Sequence, residues 1–184
     1  GIGYRGLDEG LIIRTYVYKP VEYILHNYKE GRSHHVFNTV ILHFMAELFG
    51  KDNSFALRFP AFLAGILTLW LTFKTAHILF KSNSVSRLAI LFSAMWPIHI
   101  IYSQTARGYS LIIFLSILIL YSALKLLENH TPIKWTLVLI LSSFLSVFTI
   151  PTNIYFLLGL AGWLCLPLLT SKFSKDYNFD TPSR

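Results

Sequence analysis

Five apolar runs of near-membrane length follow one another along this chain, and no other feature narrows its possible folds as much. A segment inside hydrocarbon must satisfy its own backbone hydrogen bonds, which in a single run means a helix of ~17–25 residues. The runs cover 55–80, 86–101, 109–127, 135–150 and 154–170. Turn-forming or polar residues separate them: Lys81-Ser-Asn-Ser84, Pro97 with Ser103-Gln104, Glu128-Asn-His-Thr-Pro132 and Pro151-Thr-Asn153.

Composition supports a membrane setting. Apolar residues make up 54% of the chain and charged residues only 14%, against roughly 25% charged in a typical soluble domain. The expected fold class is all-α: a polytopic transmembrane helix bundle with interfacial amphipathic helices in the first external loop. The expected division is an external loop over 1–34, a bundle of about five to six membrane helices over 35–171, and a cytoplasmic loop or truncated end over 172–184. Gly1 opens the sequence with no Met, signal peptide or leading hydrophobic helix, so both edges read as cut.

The early part is less regular. Leu11-Ile12-Ile13, Tyr16, Tyr18, Tyr23 and Tyr28 alternate with Arg14, Lys19, Glu22 and Lys29, which suggests short amphipathic helices broken near Pro20. Residues 34–50 form a weaker apolar segment with a polar stripe at His35, Thr39, His43 and Glu47. A helix of that length reaches only ~24 Å, short of a ~30 Å hydrocarbon core.

The net charge of +7 falls in the gaps between apolar runs rather than along one polar face, so it reads as loop charge and not as a nucleic-acid surface. Lys81 with Arg87, Lys125 with Lys134, and Lys172 with Lys175 mark three cytoplasmic loops. The loops around 103–107 and 151–153 then lie on the opposite face, where Arg107 is an exception to the charge rule. Cys165, the only cysteine, sits inside an apolar run and offers neither a disulfide nor a thiolate metal site. The Asn129-His130-Thr131 sequon falls on the cytoplasmic side and reads as accidental.

Three polar groups stand out. Asp8-Glu9 accounts for two of the nine acidic residues; the pair suits a helix cap and first turn, or a general base or metal ligand at a membrane-surface site. The stretch Ser33-His34-His35-Val36-Phe37-Asn38-Thr39 gathers more polar groups than packing needs, without a third ligand at zinc spacing. Arg107, within Tyr102-Ser103-Gln104-Thr105-Ala106-Arg107-Gly108-Tyr109-Ser110, either snorkels to headgroups or offers a planar fork to a phosphate or carboxylate. Arg58, in Phe55-Ala-Leu-Arg58-Phe-Pro60, has the same two readings.

Taken in order, these stretches resemble the GT-C superfamily of membrane glycosyltransferases, closest to the branch of dolichyl-phosphate-mannose protein mannosyltransferases and bacterial aminoarabinose transferases. The likeness rests on Leu7-Asp8-Glu9, the His35–Thr39 stretch, Leu48-Phe49-Gly50 with Ala56-Leu57-Arg58-Phe59-Pro60, the Tyr102–Ser110 stretch, and Pro151-Thr152-Asn153-Ile154-Tyr155. It departs at Ser33-His34, where the family pattern has Asn-Asn. The resemblance implies a longer chain, of which this piece lacks the first helix and by itself is inactive. It also implies sugar transfer from a polyprenyl-phosphate donor to a lipid, glycan or protein acceptor, on the non-cytoplasmic face of a bacterial plasma membrane, amid membrane lipids and with no nucleic acid.

By the same likeness Asp8 and Glu9 are catalytic, His35 and Arg107 bind the donor phosphate, and His34, Asn38, Gln104 and Tyr109 line the cavity. A divalent metal ion is used by some relatives and not by others, so no cofactor is assigned. The rival readings are a transporter or channel with no enzymatic role, a polymerase or ligase using lipid-linked oligosaccharide, and a structural membrane subunit.

Overall fold

The computed structural model describes residues 7–27, 35–51, 53–128 and 131–176, with the backbone alone for 7–8 and 167–176. The described residues are helical throughout, with no strand among them. In chain order the helices are α1 (Leu7–Ile12), a π-helical turn (Ile13–Val17), α2 (Val21–His26), α3 (Val36–Phe49), α4 (Ser54–Phe80), α5 (Asn83–Met95), α6 (Pro97–Ser103), α7 (Tyr109–Leu127) and α8 (Pro132–Thr149). From Thr152 the chain forms a separate unit whose long helix is α9 (Ile154–Asp176), with Cys165 exposed on it.

Local chemistry explains the boundaries of α4. Its N-cap is Asn53, whose side-chain oxygen accepts from the Ala56 amide at 3.1 Å; its C-cap is Lys81, in the left-handed region at φ 51°. Ser82 then caps α5 by accepting from the Val85 amide at 3.4 Å. Residues 86–101 are not one continuous span as expected but most of α5 and most of α6, bent by 64°. Pro97 is the cause: it has no N–H to continue the ladder and pushes Trp96 into extended geometry, at φ −68° and ψ 119°. Among the described residues three helices, α4, α7 and α8, are long and apolar enough to cross a membrane, or four if the α5–α6 pair is one span; α3 and the stretch Pro151–Leu166 are shorter apolar helices.

The bundle is small inside and large outside. The buried side of α4 carries Ala56, Leu57, Ala61, Ala64, Gly65, Thr68, Leu71, Thr75 and Ala76, while Phe55, Phe62, Ile66 and Trp70 are exposed. In water that outer face would be a liability; in lipid it is the solvent-matched face, and small inner residues let backbones approach closely. At Gly65 an added Cβ would stand 2.8 Å from Ser103 Cβ, so the end of α6 rests directly on α4. Several buried hydroxyls donate along their own helices, as with Thr68 to Ala64 O at 2.8 Å, Ser122 to Leu118 O at 2.7 Å and Thr149 to Leu145 O at 2.7 Å.

Two contacts fix helix direction. Ser110, at the start of α7, donates to Ala61 O near the start of α4 at 2.8 Å. Lys81, just past the end of α4, donates at 2.8 Å to Glu128, just past the end of α7. Helices α4 and α7 therefore run parallel, with α5 and α6 as the return path between them. Helix α8 runs back against α7: Tyr121 and Trp135 meet edge to face at 5.3 Å, and Thr149 reaches Gly108 at the other end.

The Lys81 end is a basic rim. Glu128 there accepts from both Lys81 and Lys125 at 2.8 Å, and these two hydrogen bonds push its carboxyl down to about 2. At the opposite end α1, the π turn and α2 pack one apolar face inward through Ile13, Val17 and Ile24, leaving Leu11, Arg14 and Glu22 exposed. His43 of α3 bonds Val17 O at 2.8 Å and anchors this early segment.

Candidate active site

Four sequence stretches meet at the end of the bundle where α3, α4 and α7 begin. The first is α1. Glu9 has a fully buried side chain, and its Oε1 accepts from the Ala106 amide at 2.8 Å and from Arg58 Nε at 3.3 Å. Its Oε2 accepts from Arg58 Nη2 at 3.4 Å. One carboxylate thus joins α1, the first turns of α4 and the loop between α6 and α7. Arg58 answers the cost of burying that charge with a two-pronged contact, and the Ala106 amide adds a third donor.

The loop itself is tightly wound. Thr105 Oγ1 donates to Tyr102 O at 3.2 Å, and the Arg107 amide donates to Thr105 O at 2.8 Å. Gly108 follows, and here space rather than conformation demands glycine, since its φ is −71°. A Cβ at this position would lie 2.8 Å from His35 Cβ and 3.1 Å from Thr149 Cγ2. The glycine lets the residue before α3 and the last residue of α8 close on the loop.

Around Tyr109 the side chains stack. The His35 ring meets it edge-on at 4.8 Å, the Tyr102 ring stacks on it at 4.6 Å, and the Arg107 guanidinium carbon lies 5.0 Å from its centre. A cation over an aromatic face is attracted by the ring quadrupole, and this contact holds the guanidinium beside the loop. His35 is buried, and its carbonyl accepts from Thr39 Oγ1 at 3.0 Å, which fixes the entry to α3.

The structure therefore brings His35, Arg107 and Tyr109 together, with Glu9 one residue from Arg107 through the Ala106 amide. Asn38 is buried one turn into α3. Gln104 points elsewhere: it lines a cleft of about 260 Å³ with Phe55, Arg58, Phe59, Phe62 and Ser103. The backbone of Asp8 lies in the first turn of α1; His34 lies outside the described residues. Among the described residues no three His, Cys, Asp or Glu side chains gather in a way that could hold a metal ion.

The partners are not legible in the sequence: nothing in it joins Arg58 to Glu9, 49 residues away, or sets Tyr102 apart from the stretch that contains it. The Ala106 amide carries no sequence signal at all.

A family model described as dolichyl-phosphate-mannose-protein mannosyltransferase matches residues 33–178. The chain belongs to this family. It is accordingly a glycosyltransferase of the membrane-embedded kind. No curated protein and no solved structure matches it. The match takes in His35, Arg58, Gln104, Arg107 and Tyr109 but begins after Asp8 and Glu9; the contacts of Glu9 with Arg58 and the Ala106 amide tie α1 to the rest.

Proposed function

We propose that this mannosyltransferase-family chain helps move a sugar from a polyprenyl-phosphate donor to an acceptor hydroxyl on the non-cytoplasmic face of a bacterial plasma membrane. The observation that carries the reading is the meeting of His35 with the distant pair Arg107 and Tyr109 at the end of the bundle away from the Lys81–Lys125 rim. Basic loops favour the cytoplasm, which supports the opposite face for the site.

In the proposed reaction an acceptor hydroxyl gives its proton to Asp8 and its oxygen attacks the anomeric carbon. The bond from that carbon to the phosphate oxygen breaks, its electron pair leaves with the polyprenyl phosphate, and the configuration inverts. Arg107 and His35 donate hydrogen bonds where negative charge grows on the leaving phosphate, a contribution of ~3–4 kcal/mol for a well-placed donor. Tyr109 holds the Arg107 guanidinium and the His35 ring beside the donor phosphate.

Radiolabelled polyprenyl-phosphate sugars supplied to the full-length protein in membranes test this. Transfer should collapse in Asp8→Asn and in Arg107→Ala at unchanged protein level. Transfer that survives both changes would remove these residues from the reaction. Absence of transfer by the wild type from every donor tried would favour a transporter.

A further inference from the structure

A carboxylate that takes a proton from an acceptor must present an oxygen to it. Glu9 has no exposed side-chain surface, and its two oxygens already receive three N–H groups, two from Arg58 and one from Ala106. The residues on either side of this contact are the ones the reaction needs: Asp8 precedes Glu9, and Arg107 follows Ala106.

We propose that Glu9 is a positioning residue: its buried clasp on Arg58 and the Ala106 amide sets the separation between Asp8 and Arg107. The proposal rests on the glycosyltransferase reading above. Glu9 lies 97 residues from Ala106 and 49 from Arg58, and the family match starts only at residue 33. With one cysteine in the chain, no internal disulfide ties the early segment to the site. The clasp is a suitable tie because its donors are directional. A guanidinium fork fixes the plane of the carboxylate, and a backbone amide fixes its height along the loop. Apolar packing of the same volume would hold the segment down as firmly but would let it slide; a buried ion pair supplies register in place of net stability. A small slip matters because Asp8 must reach the acceptor while Arg107 reaches the phosphate across the same anomeric carbon.

The experiment compares wild type, Glu9→Gln, Arg58→Gln and the double variant, as full-length protein in membranes, with the polyprenyl-phosphate sugar that the wild type uses. Gln at position 9 keeps an oxygen for the Ala106 amide but sets an NH2 group against the Arg58 donors. The expected result is a kcat per folded molecule about 100-fold lower in Glu9→Gln, with the acid limb of its pH profile retained and the double variant little worse than either single one. Asp8→Asn should lose that limb. Loss of the limb in Glu9→Gln would make Glu9 the proton acceptor and overturn the proposal. An unchanged kcat with only a lower thermal midpoint would reduce the clasp to a brace and overturn it equally.

If Glu9→Gln does not accumulate, Arg58→Lys keeps the charge, loses the fork and carries the same comparison. Binding of undecaprenyl phosphate in detergent supplies a readout without turnover. Weaker binding by Glu9→Gln supports the proposal and equal binding overturns it, even where the wild type transfers no sugar and the functional reading itself fails.

Discussion

The two ends of the α4–α7 pair are each closed by a carboxylate shared between two donors, yet the environments are opposite. At the rim, Glu128 meets Lys81 and Lys125 at 2.8 Å, with the Lys81 side chain 70% exposed. At the site, Glu9 meets Arg58 at 3.3 Å with no exposed surface of its own. The shorter contact is the weaker one, because water and salt screen it and two flexible lysines must be held to make it. Distance is a poor guide to the strength of an ion pair; burial and the geometry of the donors decide.

The largest test of this contrast is Glu9→Ala, which leaves Arg58 and the Ala106 amide without their shared acceptor. Reversible unfolding in mixed micelles should show a loss of about 3–5 kcal/mol; a loss comparable to that of a surface pair would erase the distinction. Gly108→Ala comes next. Its Cβ has no room beside His35 and Thr149, and such overpacking costs about 1–3 kcal/mol. The His35 ring should also shift off Tyr109, visible as a changed aromatic chemical shift. A variant that keeps both stability and that shift would show that the loop has slack.

Ser110→Ala removes the hydroxyl bond to Ala61 O and should cost about 0.6 kcal/mol, the usual scale for an interhelical bond in a membrane. The smallest effect belongs to the rim: Glu128→Gln should cost below ~1 kcal/mol and less still in high salt. Its pH signature is specific. The folded carboxyl sits at about 2 instead of 4.5, so its contribution is complete above pH 4.5 and fades as pH falls toward 2. The pH dependence in that interval should shrink in Glu128→Gln, and an unchanged curve would show that the rim pair contributes nothing.

Much of the frame was legible from sequence because it depends on local runs. The run over 109–127 became α7, Tyr109–Leu127, since Gly108 and Glu128 bound an unbroken apolar stretch. The bend between α5 and α6 was not legible as an angle: Pro97 shows that a ladder ends, while the direction of the next helix depends on how Ser103 meets Gly65. At the site, His35, Arg107 and Tyr109 could be picked out as unusual polar residues beside membrane runs, and they do meet. The clasp could not. Its partners lie far apart in sequence, and one is a backbone amide that any residue at position 106 would supply.

The outward turn of the large side chains has a thermal consequence. Phe62 and Trp70 on α4, and Leu137 and Phe144 on α8, are exposed already in the packed bundle, so in a bilayer they meet acyl chains whether or not the helices are together. Pulling the helices apart uncovers chiefly Ala, Gly, Ser and Thr. The hydration of apolar surface that gives water-soluble domains a large heat capacity of unfolding, and a domed stability curve, is nearly absent from that step. The free energy holding these helices together should thus vary almost linearly with temperature, with no cold-unfolding branch.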